Sequence, residues 1–428
     1  MNKLKDLSPG LSPKEDKSTF ASLKVKDYRY LWIGMVASAF AMNMQIVAQG
    51  WLVYEMTSSA INLTWVTLSF QIPQVVFSLF GGVLADRMPK KPIMGLTPVL
   101  NGLTTAAMAV IIMFGEVSFW DFIWVGALNG TLMALSVPAR TALIPEIVGE
   151  SLMFNAMAFN MASWNLARIL GPALAGFMIA MFADGDTSST FGVGLVYFVL
   201  SALYILSAVT VLFISHSGKP VDREKSHPLH EIKEGLAYVI DSPIVGGLIF
   251  LSILPFLFGL TINTLLPAFS TDILKGGPDD LGLLMTGLGA GAIIGSLALA
   301  NMSNLSKKGY WIIATGAGWG ILVAIFSQTT TFAAATIVIA LIGFISAFNM
   351  SMNRSLIQLQ VEQHMRGRIM SIDMMTHGLM PLGVLPIGYI AETISVPVAL
   401  LISGAILCLA TLVSGAMMPK VRKINVGY

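Results

Sequence analysis

The stretch that decides the fold is a short charged turn between two long apolar runs, and it reads Gly81-Gly82-Val83-Leu84-Ala85-Asp86-Arg87-Met88-Pro89-Lys90-Lys91. Charges this close to apolar runs of about 20 residues belong at a membrane surface, because the hydrocarbon interior excludes them. The turn therefore marks one face of a membrane. A weaker copy of it, Lys307-Lys308, recurs in the second half of the chain.

The composition is that of a membrane protein. Of the 428 residues, 55% are hydrophobic and 11% are charged, whereas a soluble domain carries roughly 25% charged residues. A chain of this length and polarity is expected to cross the membrane many times. Twelve apolar runs are long enough to do so as helices, and they span roughly 30–53, 61–85, 92–114, 119–140, 153–182, 191–214, 244–270, 281–302, 310–327, 331–353, 368–391 and 395–418.

The runs form two groups of six, separated by one polar segment. We therefore predict an all-α membrane protein with five parts: an N-terminal tail (1–27), a six-helix bundle (28–214), a central loop (215–243), a second six-helix bundle (244–418) and a C-terminal tail (419–428). The central loop ends in a segment, 230–240, whose pattern predicts a short amphipathic helix at the membrane interface.

The basic residues lie almost entirely on one side of the membrane. Of the 25 Lys and Arg residues, all except Lys275 and Arg168 fall in the tails, the central loop or the connections on the side of the opening turn. The positive-inside rule places that side in the cytoplasm. Both termini are then cytoplasmic, which the even number of runs also requires, and we expect a multi-pass protein of the plasma (inner) membrane.

The two halves of the chain resemble each other. The segment Arg140-Thr141-Ala142-Leu143-Ile144 resembles Arg354-Ser355-Leu356-Ile357 at an offset of 214 residues (354 minus 140). Two six-helix repeats of parallel orientation occur in secondary transporters that rock two bundles about a site near the midplane.

The opening turn resembles the signature that the major facilitator superfamily carries between its second and third helices, Gly-x-x-x-Asp-Arg-x-Gly-basic-basic. The matching residues are Gly82, Asp86, Arg87, Lys90 and Lys91. Pro89 stands where the superfamily usually has glycine.

A second stretch resembles the exporter motif of the same superfamily, and its matching residues are Arg168, Gly171, Pro172 and Gly176. The chain is most similar to the branch with enterobactin-type siderophore exporters and macrolide efflux proteins, through Trp51–Thr57, Val137–Glu146 and Arg366–Ser371. This resemblance implies the twelve-helix major facilitator fold. Proton-coupled exporters often carry an arginine in the fourth helix, where this chain has Gly126.

The resemblance also implies a cytoplasmic latch. Asp86 would face the N-terminus of helix 11, with Arg366 and Arg368 as cationic partners. The remaining residues assigned to this latch are Gly82, Arg87, Lys90, Lys91 and Arg140. The alternative is a solvated turn that only sets topology. The chain has no Asp or Glu between Asp280 and Glu362, so a latch would be one-sided.

Three ionisable residues are expected inside membrane-spanning runs. An arginine at the bilayer centre costs ~2.5–3.5 kcal/mol on insertion scales, so Arg168 should face the interior. There it binds the cargo, bridges the bundles or is satisfied by backbone carbonyls. Asp373 and His377 are four residues apart on one helical face and are candidates for proton coupling. The alternative is an acid paired with an arginine at the cytoplasmic mouth. Four acids near external helix ends are expected to be solvated: Glu55, Asp121, Asp272 and Glu392.

Helices 1, 4, 7 and 10 line the cavity in this superfamily. The amide residues on these runs that are candidates for the cavity are Gln45, Gln49, Asn129, Asn263, Asn349 and Asn353. Amides donate and accept hydrogen bonds without charge, which suits a bulky neutral or polyfunctional ligand. The alternative is hydrogen bonding between helices.

The sequence contains no metal-ligand cluster, nucleotide-binding loop or nucleophile–base–acid set, so we expect neither an enzyme nor a cofactor. We expect a secondary active transporter that exports a bulky amphipathic small molecule, a siderophore or drug-like compound, by alternating access and proton antiport. Its partners would be the small molecule, protons and the lipid bilayer, without nucleic acid, and it would be a monomer. The alternatives are an uptake symporter of the same fold and a membrane sensor or assembly partner that transports nothing.

Overall fold

The computed structural model describes residues 20–182, 190–218, 228–302, 306–362 and 365–425. Within these ranges, the side chains at positions 79, 82, 83, 85, 86 and 228–232 are not described. The described part of the protein therefore leaves out most of the expected N-terminal tail and the side chain of Asp86. It also leaves out three basic residues of the central loop, Lys219, Arg223 and Lys225.

The described residues are helical almost throughout. Their helices are α1 (Ala21–Lys24), α2 (Lys26–Thr57), α3 (Ala60–Arg87), α4 (Lys90–Phe114), α5 (Phe119–Phe182), α6 (Thr190–Leu212), α7 (Pro228–Asp241), α8 (Pro243–Leu254), α9 (Thr261–Asp272), α10 (Pro278–Asn301), α11 (Lys308–Phe326), α12 (Phe332–Gln360), α13 (Arg366–Met375), α14 (Met380–Thr393), α15 (Val396–Met417) and α16 (Pro419–Arg422). In the described ranges, ten helical segments are long and apolar enough to cross a membrane, with α8–α9 and α13–α14 each counted as one segment.

The 64-residue helix α5 is two helices joined at a break. Gly149 has φ 71° and ψ 171°, which are not helical values and which glycine adopts without strain. Phe122 and Ile179, near the two ends of α5, belong to one hydrophobic cluster. Val148 and Ala156, on either side of the break, belong to a second cluster. The helix therefore folds back on itself at Gly149.

The first half of the protein (α2–α6) and the second half (α8–α15) pack against each other along two pairs of helices, α3 with α14 and α5 with α10. Bare glycine surfaces allow this close approach. A Cβ atom on Gly282 of α10 would lie 2.5 Å from the carbonyl oxygen of Pro172, and one on Gly176 would overlap the carbonyl oxygen of Pro278. The glycine and proline of the exporter motif thus lie at the contact between the halves.

Two irregular turns interrupt membrane-spanning segments in the second half. A π-helical turn, Pro255–Gly259, separates α8 from α9, and a 3₁₀ turn, Thr376–Leu379, separates α13 from α14. The turns contact each other, because the rings of Phe256 and His377 lie 3.9 Å apart between centroids. Such breaks within a helix frequently occur at functional sites.

The amphipathic helix predicted in the central loop is confirmed as α7. It packs on α13, where Arg368 Nη1 and Glu234 Oε2 form an ion pair at 2.6 Å. A Cβ atom on Gly235 would lie 2.8 Å from the side chain of Ile372, so the two helices are in close contact.

Candidate functional site

A cavity of ≈ 360 Å³ lies between the two halves. Most of its wall comes from α2, α3, α4 and α5, and α6 adds Tyr204. The second half closes it with residues of α9, with Met285 of α10 and with Met380 of α14. Its volume falls at the lower end of the range of small-molecule pockets, roughly 300–1,000 Å³.

Four of the six amides predicted for the cavity line it: Gln45, Gln49, Asn129 and Asn263. Gln45 and Gln49 lie together on α2, with Nε2 and Oε1 3.5 Å apart. The cavity also contains Gln71 of α3 and Asn101 of α4. These two were not predicted, because they lie on the second and third membrane-spanning helices and not on helices 1, 4, 7 or 10.

The structure places the other two predicted amides in contacts between helices of the second half. Asn349 donates from Nδ2 to the carbonyl oxygen of Ile312 at 2.9 Å and to Thr315 Oγ1 at 2.8 Å. Asn353 donates to the carbonyl oxygen of Leu248 at 3.0 Å. Both side chains are buried, with 4% and 3% of their surface exposed. They join α12 to α11 and α8.

Arg140 lines the cavity, although the sequence placed it in a connecting turn. The apolar run assigned to helix 4 ended at 140, whereas the helix continues to the break at Gly149. Nine residues separate the two positions (149 minus 140), and they span roughly 13 Å of helix. Arg140 is therefore more than two turns inside α5.

Arg168 lies in the returning part of α5, and its side chain is exposed. Its carbonyl oxygen faces α10, 3.2 Å from the position of a Cβ on Gly289. Trp164, four residues earlier, lines the cavity. Gly171 packs against α2, where its Cβ would lie 2.9 Å from Asn43 Cβ. The exporter motif is thus the place where α5 contacts both α2 and α10.

Asp373 and His377 are joined by a third residue, Arg354 of α12. Asp373 has no exposed surface, accepts a 2.6 Å hydrogen bond from Ser252 Oγ and lies 3.5 Å from Arg354 Nε. Nη2 of the same guanidinium lies 3.3 Å from His377 Nε2. The network thus connects α8, α12 and α13 next to the two irregular turns.

The contacts of His377 favour one neutral tautomer. Its Nδ1 lies 2.8 Å from the carbonyl oxygen of Met374, which can only accept, so Nδ1 carries a proton. Its Nε2 lies beside the Arg354 guanidinium, which can only donate, so Nε2 carries none. This neutral tautomer is assigned from the network. A second proton on His377 would place two cations against each other.

One end of the cavity is sealed by side chains from both halves, and we call this the sealed end. Tyr54 of α2 donates a short hydrogen bond to Asp272 of α9. Glu392 of α14 accepts from Ser59 Oγ at 3.0 Å and from the Ile61 backbone N–H at 3.3 Å. The sequence treated both acids as solvated helix ends. They are exposed, but each also bonds across the two halves.

At the opposite end, the basic residues of the opening turn bond within the first half. Lys90 is 1% exposed and lies 2.9 Å from Glu146 Oε1, and Lys91 Nζ donates to the carbonyl oxygen of Ile214 at 2.6 Å. Arg87 is exposed.

The arginines expected to face the opening turn have other partners in this state. Arg366 donates to the carbonyl oxygen of Val361 at 3.3 Å, and Arg368 is paired with Glu234. The side chain of Asp86, their expected partner in the latch, lies outside the described residues.

Sequence comparison identifies the relatives of the protein. The sequence profile of the transmembrane secretion effector family matches residues 17–426. The staphyloferrin A transporter of Staphylococcus aureus (strain NCTC 8325 / PS 47) is 27% identical over 361 residues, which cover 82% of this chain and 86% of that protein. The enterobactin exporter EntS of Shigella boydii serotype 18 is 24% identical over 291 residues, or 68% of this chain and 67% of that protein.

Solved structures agree on the fold. The nucleoside transporter NupG superposes with a TM-score of 0.71 at 14% identity, covering 93% of this chain and 99% of that one. A bacterial homolog of the human lysosomal transporter Spinster, inward-facing and occupied, superposes with a TM-score of 0.67 at 13% identity, covering 93% and 96%.

The family profile spans nearly the whole chain, and its relatives are membrane transporters rather than enzymes. The protein therefore lies in the plasma (inner) membrane with many spans, and it belongs to the transmembrane secretion effector family of the major facilitator superfamily of transporters.

Proposed function

We propose that the protein is a secondary active exporter that moves a bulky amphipathic small molecule, a siderophore or drug-like compound, out of the cytoplasm in exchange for protons. The observation that carries the proposal is a cavity between the two helical halves. At its sealed end, side chains of one half are hydrogen-bonded to side chains of the other. A site that is closed at one end and can be reopened by moving the halves apart is what alternating access requires.

The proposal includes twelve spans. Counting α5 as two helices and adding α3 to the ten apolar segments makes twelve. With an even number, both termini lie on one side, and the basic residues assign that side to the cytoplasm. The sealed end then faces outward, and the cavity of this conformation is accessible from the cytoplasm.

The latch belongs to the opposite step of the cycle. When the cytoplasmic end closes and the sealed end opens, the N-terminus of α13 approaches the end of α3, and Asp86 can receive Arg366 or Arg368. Arg368 would then leave Glu234 of α7. In the inward-open state, α7 of the central loop thus binds this arginine through Glu234.

Export is favoured over uptake by the exporter motif, which packs at the contact between α5, α2 and α10, and by the relative named as an enterobactin exporter. The cavity and its removable seal argue against a sensor that transports nothing.

The network of Asp373, Arg354 and His377 is our candidate for proton coupling. Asp373 is fully buried beside a neutral histidine, and both share one guanidinium. A proton on either residue changes the charge balance of three contacting helices and of two adjacent helix breaks. Such a network can link protonation to a change in helix packing.

The test is flux in inverted membrane vesicles with an imposed pH gradient. Accumulation of a siderophore or drug only when the lumen is acidic supports proton-driven export. Asp373→Asn should abolish the response to the gradient, whereas Asp241→Asn, a control at an exposed acid on α7, should not. Normal gradient-driven flux in Asp373→Asn would exclude that residue as the coupling site, and no flux of any compound would favour a protein that does not transport.

A further inference from the structure

Arg140 is the only charged residue among the described residues that line the cavity. It lies on the first helix of α5, near Tyr204 of α6 on the same wall. The cavity has no described acidic or other basic side chain, so its local charge comes from this guanidinium alone.

The guanidinium of Arg140 has no ion-pair or hydrogen-bond partner among the residues that the structure describes. Three other arginines contrast with it: Arg354 lies beside Asp373, Arg368 beside Glu234, and Arg366 bonds to a backbone carbonyl. Buried or half-buried charges in proteins are normally paired, and an arginine within a membrane span typically faces a substrate pathway. The missing counter-charge is therefore expected on the ligand.

Unpaired hydrogen-bonding atoms around the cavity describe the rest of the ligand. Four residues of the cavity wall each have a buried oxygen without a hydrogen-bond partner in the described part of the chain: Gln71 Oε1, Asn101 Oδ1, Asn129 Oδ1 and Thr264 Oγ1. Amide oxygens can only accept hydrogen bonds. Since a buried polar atom without a partner is costly, the ligand should carry O–H or N–H donors as well as the anion.

The remaining wall accepts an apolar or aromatic part of a ligand, with Phe70, Met133 and Trp164 among its residues. A single guanidinium matches a single carboxylate, because its planar fork bonds the two carboxylate oxygens in parallel. A doubly charged phosphate would leave one negative charge without a partner in a wall that has one cation.

We propose that the cavity takes an organic carboxylate bearing hydroxyl or amide N–H donors and that Arg140 binds its carboxylate. The role of this ligand as cargo rests on the proposed transport function, whereas its binding does not require transport. Arg140 would be the residue that selects the charge of the cargo.

The experiment measures binding to the purified full-length protein in detergent, by thermal shift and calorimetry at constant ionic strength. The probes are two acids with their neutral counterparts, quinate with methyl quinate and mandelate with mandelamide, together with inorganic phosphate. We expect at least one acid to bind and its neutral counterpart to bind at least 10-fold more weakly. Arg140→Gln should weaken binding of that acid by about 10- to 100-fold, and Arg140→Lys should retain an intermediate affinity.

The matched control is Arg29→Gln, which removes an exposed arginine of α2 and should bind the acid as the wild type does. An unchanged melting temperature without ligand shows that Arg140→Gln is folded. The proposal is overturned if neither acid binds, if the neutral counterparts bind equally well, if Arg140→Gln binds like the wild type, or if phosphate binds as tightly as the acids.

The two proposals can fail separately. Acid binding that depends on Arg140, without flux in vesicles, would refute the transport function and leave the ligand class intact. Proton-driven flux of a neutral or cationic compound, without acid binding, would support the transport function and refute the ligand class.

Discussion

The sealed end offers the sharpest test of alternating access, because two hydrogen-bonded contacts hold it. The change is the double substitution Tyr54→Phe with Glu392→Ala. It removes the donor to Asp272 and the acceptor of Ser59 Oγ and Ile61 N–H. The packing of α5 on α10 is left in place, so the two halves should stay folded and associated.

The expected magnitude follows from the exposure of these groups. A hydrogen bond to a charged group contributes about 1.5–3 kcal/mol, but Asp272 and Glu392 are exposed, and solvent screening reduces each contact to about 1 kcal/mol. The two substitutions together destabilise the sealed state by about 2 kcal/mol, or roughly 30-fold. If about 1% of the wild-type protein is open at this end, about a quarter of the variant should be open.

The assay is electron–electron distance measurement between spin labels at Met56→Cys and Thr393→Cys, in a background with Cys408→Ala. These positions lie in the last turns of α2 and α14, on the two sides of the seal. The variant should add a longer distance to the distribution. The control Asp121→Ala removes an acid in the first turn of α5 whose carboxylate accepts hydrogen bonds from Ser118 of the same half, and it should leave the distribution unchanged. A double variant with the wild-type distribution would refute our view of the seal.

Three further predictions test other contacts. Glu146→Gln removes the carboxylate that lies 2.9 Å from the Nζ of the buried Lys90 and should lower the free energy of unfolding by about 3 kcal/mol in thermal melts. Lys90→Met with Glu146→Leu should recover most of the loss, and equal melting of wild type and Glu146→Gln contradicts the pairing. In Gly176→Ala the new Cβ would overlap the carbonyl oxygen of Pro278, and the variant should lose flux in vesicles. The control Gly367→Ala, whose Cβ would have no neighbour within 4 Å among the described residues, should keep it. Equal flux in the two variants would show that the contact at Gly176 can relax. Asn349→Leu should reduce stability by about 0.5–1 kcal/mol for each hydrogen bond lost without changing substrate affinity. Asn129→Leu should change substrate affinity without reducing stability, and the same pair of effects in both variants would show that the two asparagines have the same role.

The class of the protein could be read from short stretches of sequence. Apolar runs of membrane-spanning length and the exclusion of charge from hydrocarbon are local properties, so the opening turn was enough to predict a helical membrane protein. The amphipathic helix α7 followed from its own pattern in the same way.

Arg140 shows where local reasoning stops. A charged residue after a long apolar run predicts a membrane surface, but here the helix continues for two further turns to Gly149. An arginine can remain inside a span when a cavity hydrates it. Only the packing of helices from both halves creates the cavity.

The six predicted amides show the same limit. They are chemically alike and lie on helices of similar composition. The sequence therefore could not show which of them line the cavity and which bond to neighbouring helices. In the structure, Asn129 and Asn263 face the cavity, whereas Asn349 and Asn353 bond to backbone carbonyls of neighbouring helices. The rotation of each helix about its axis decides the environment, and packing sets that rotation.

The sequence by itself thus determined that this protein folds in a membrane and that it is helical, and it predicts which side of the membrane its charges occupy, because each depends on residues close together along the chain. The tertiary structure alone decided which polar side chains of the two halves are bonded to each other. Tyr54 and Asp272 are separated by 218 residues, and Ser59 and Glu392 by 333. Pairings over such distances arise only when the two halves of the chain come into contact, and the cavity and its seal exist only there.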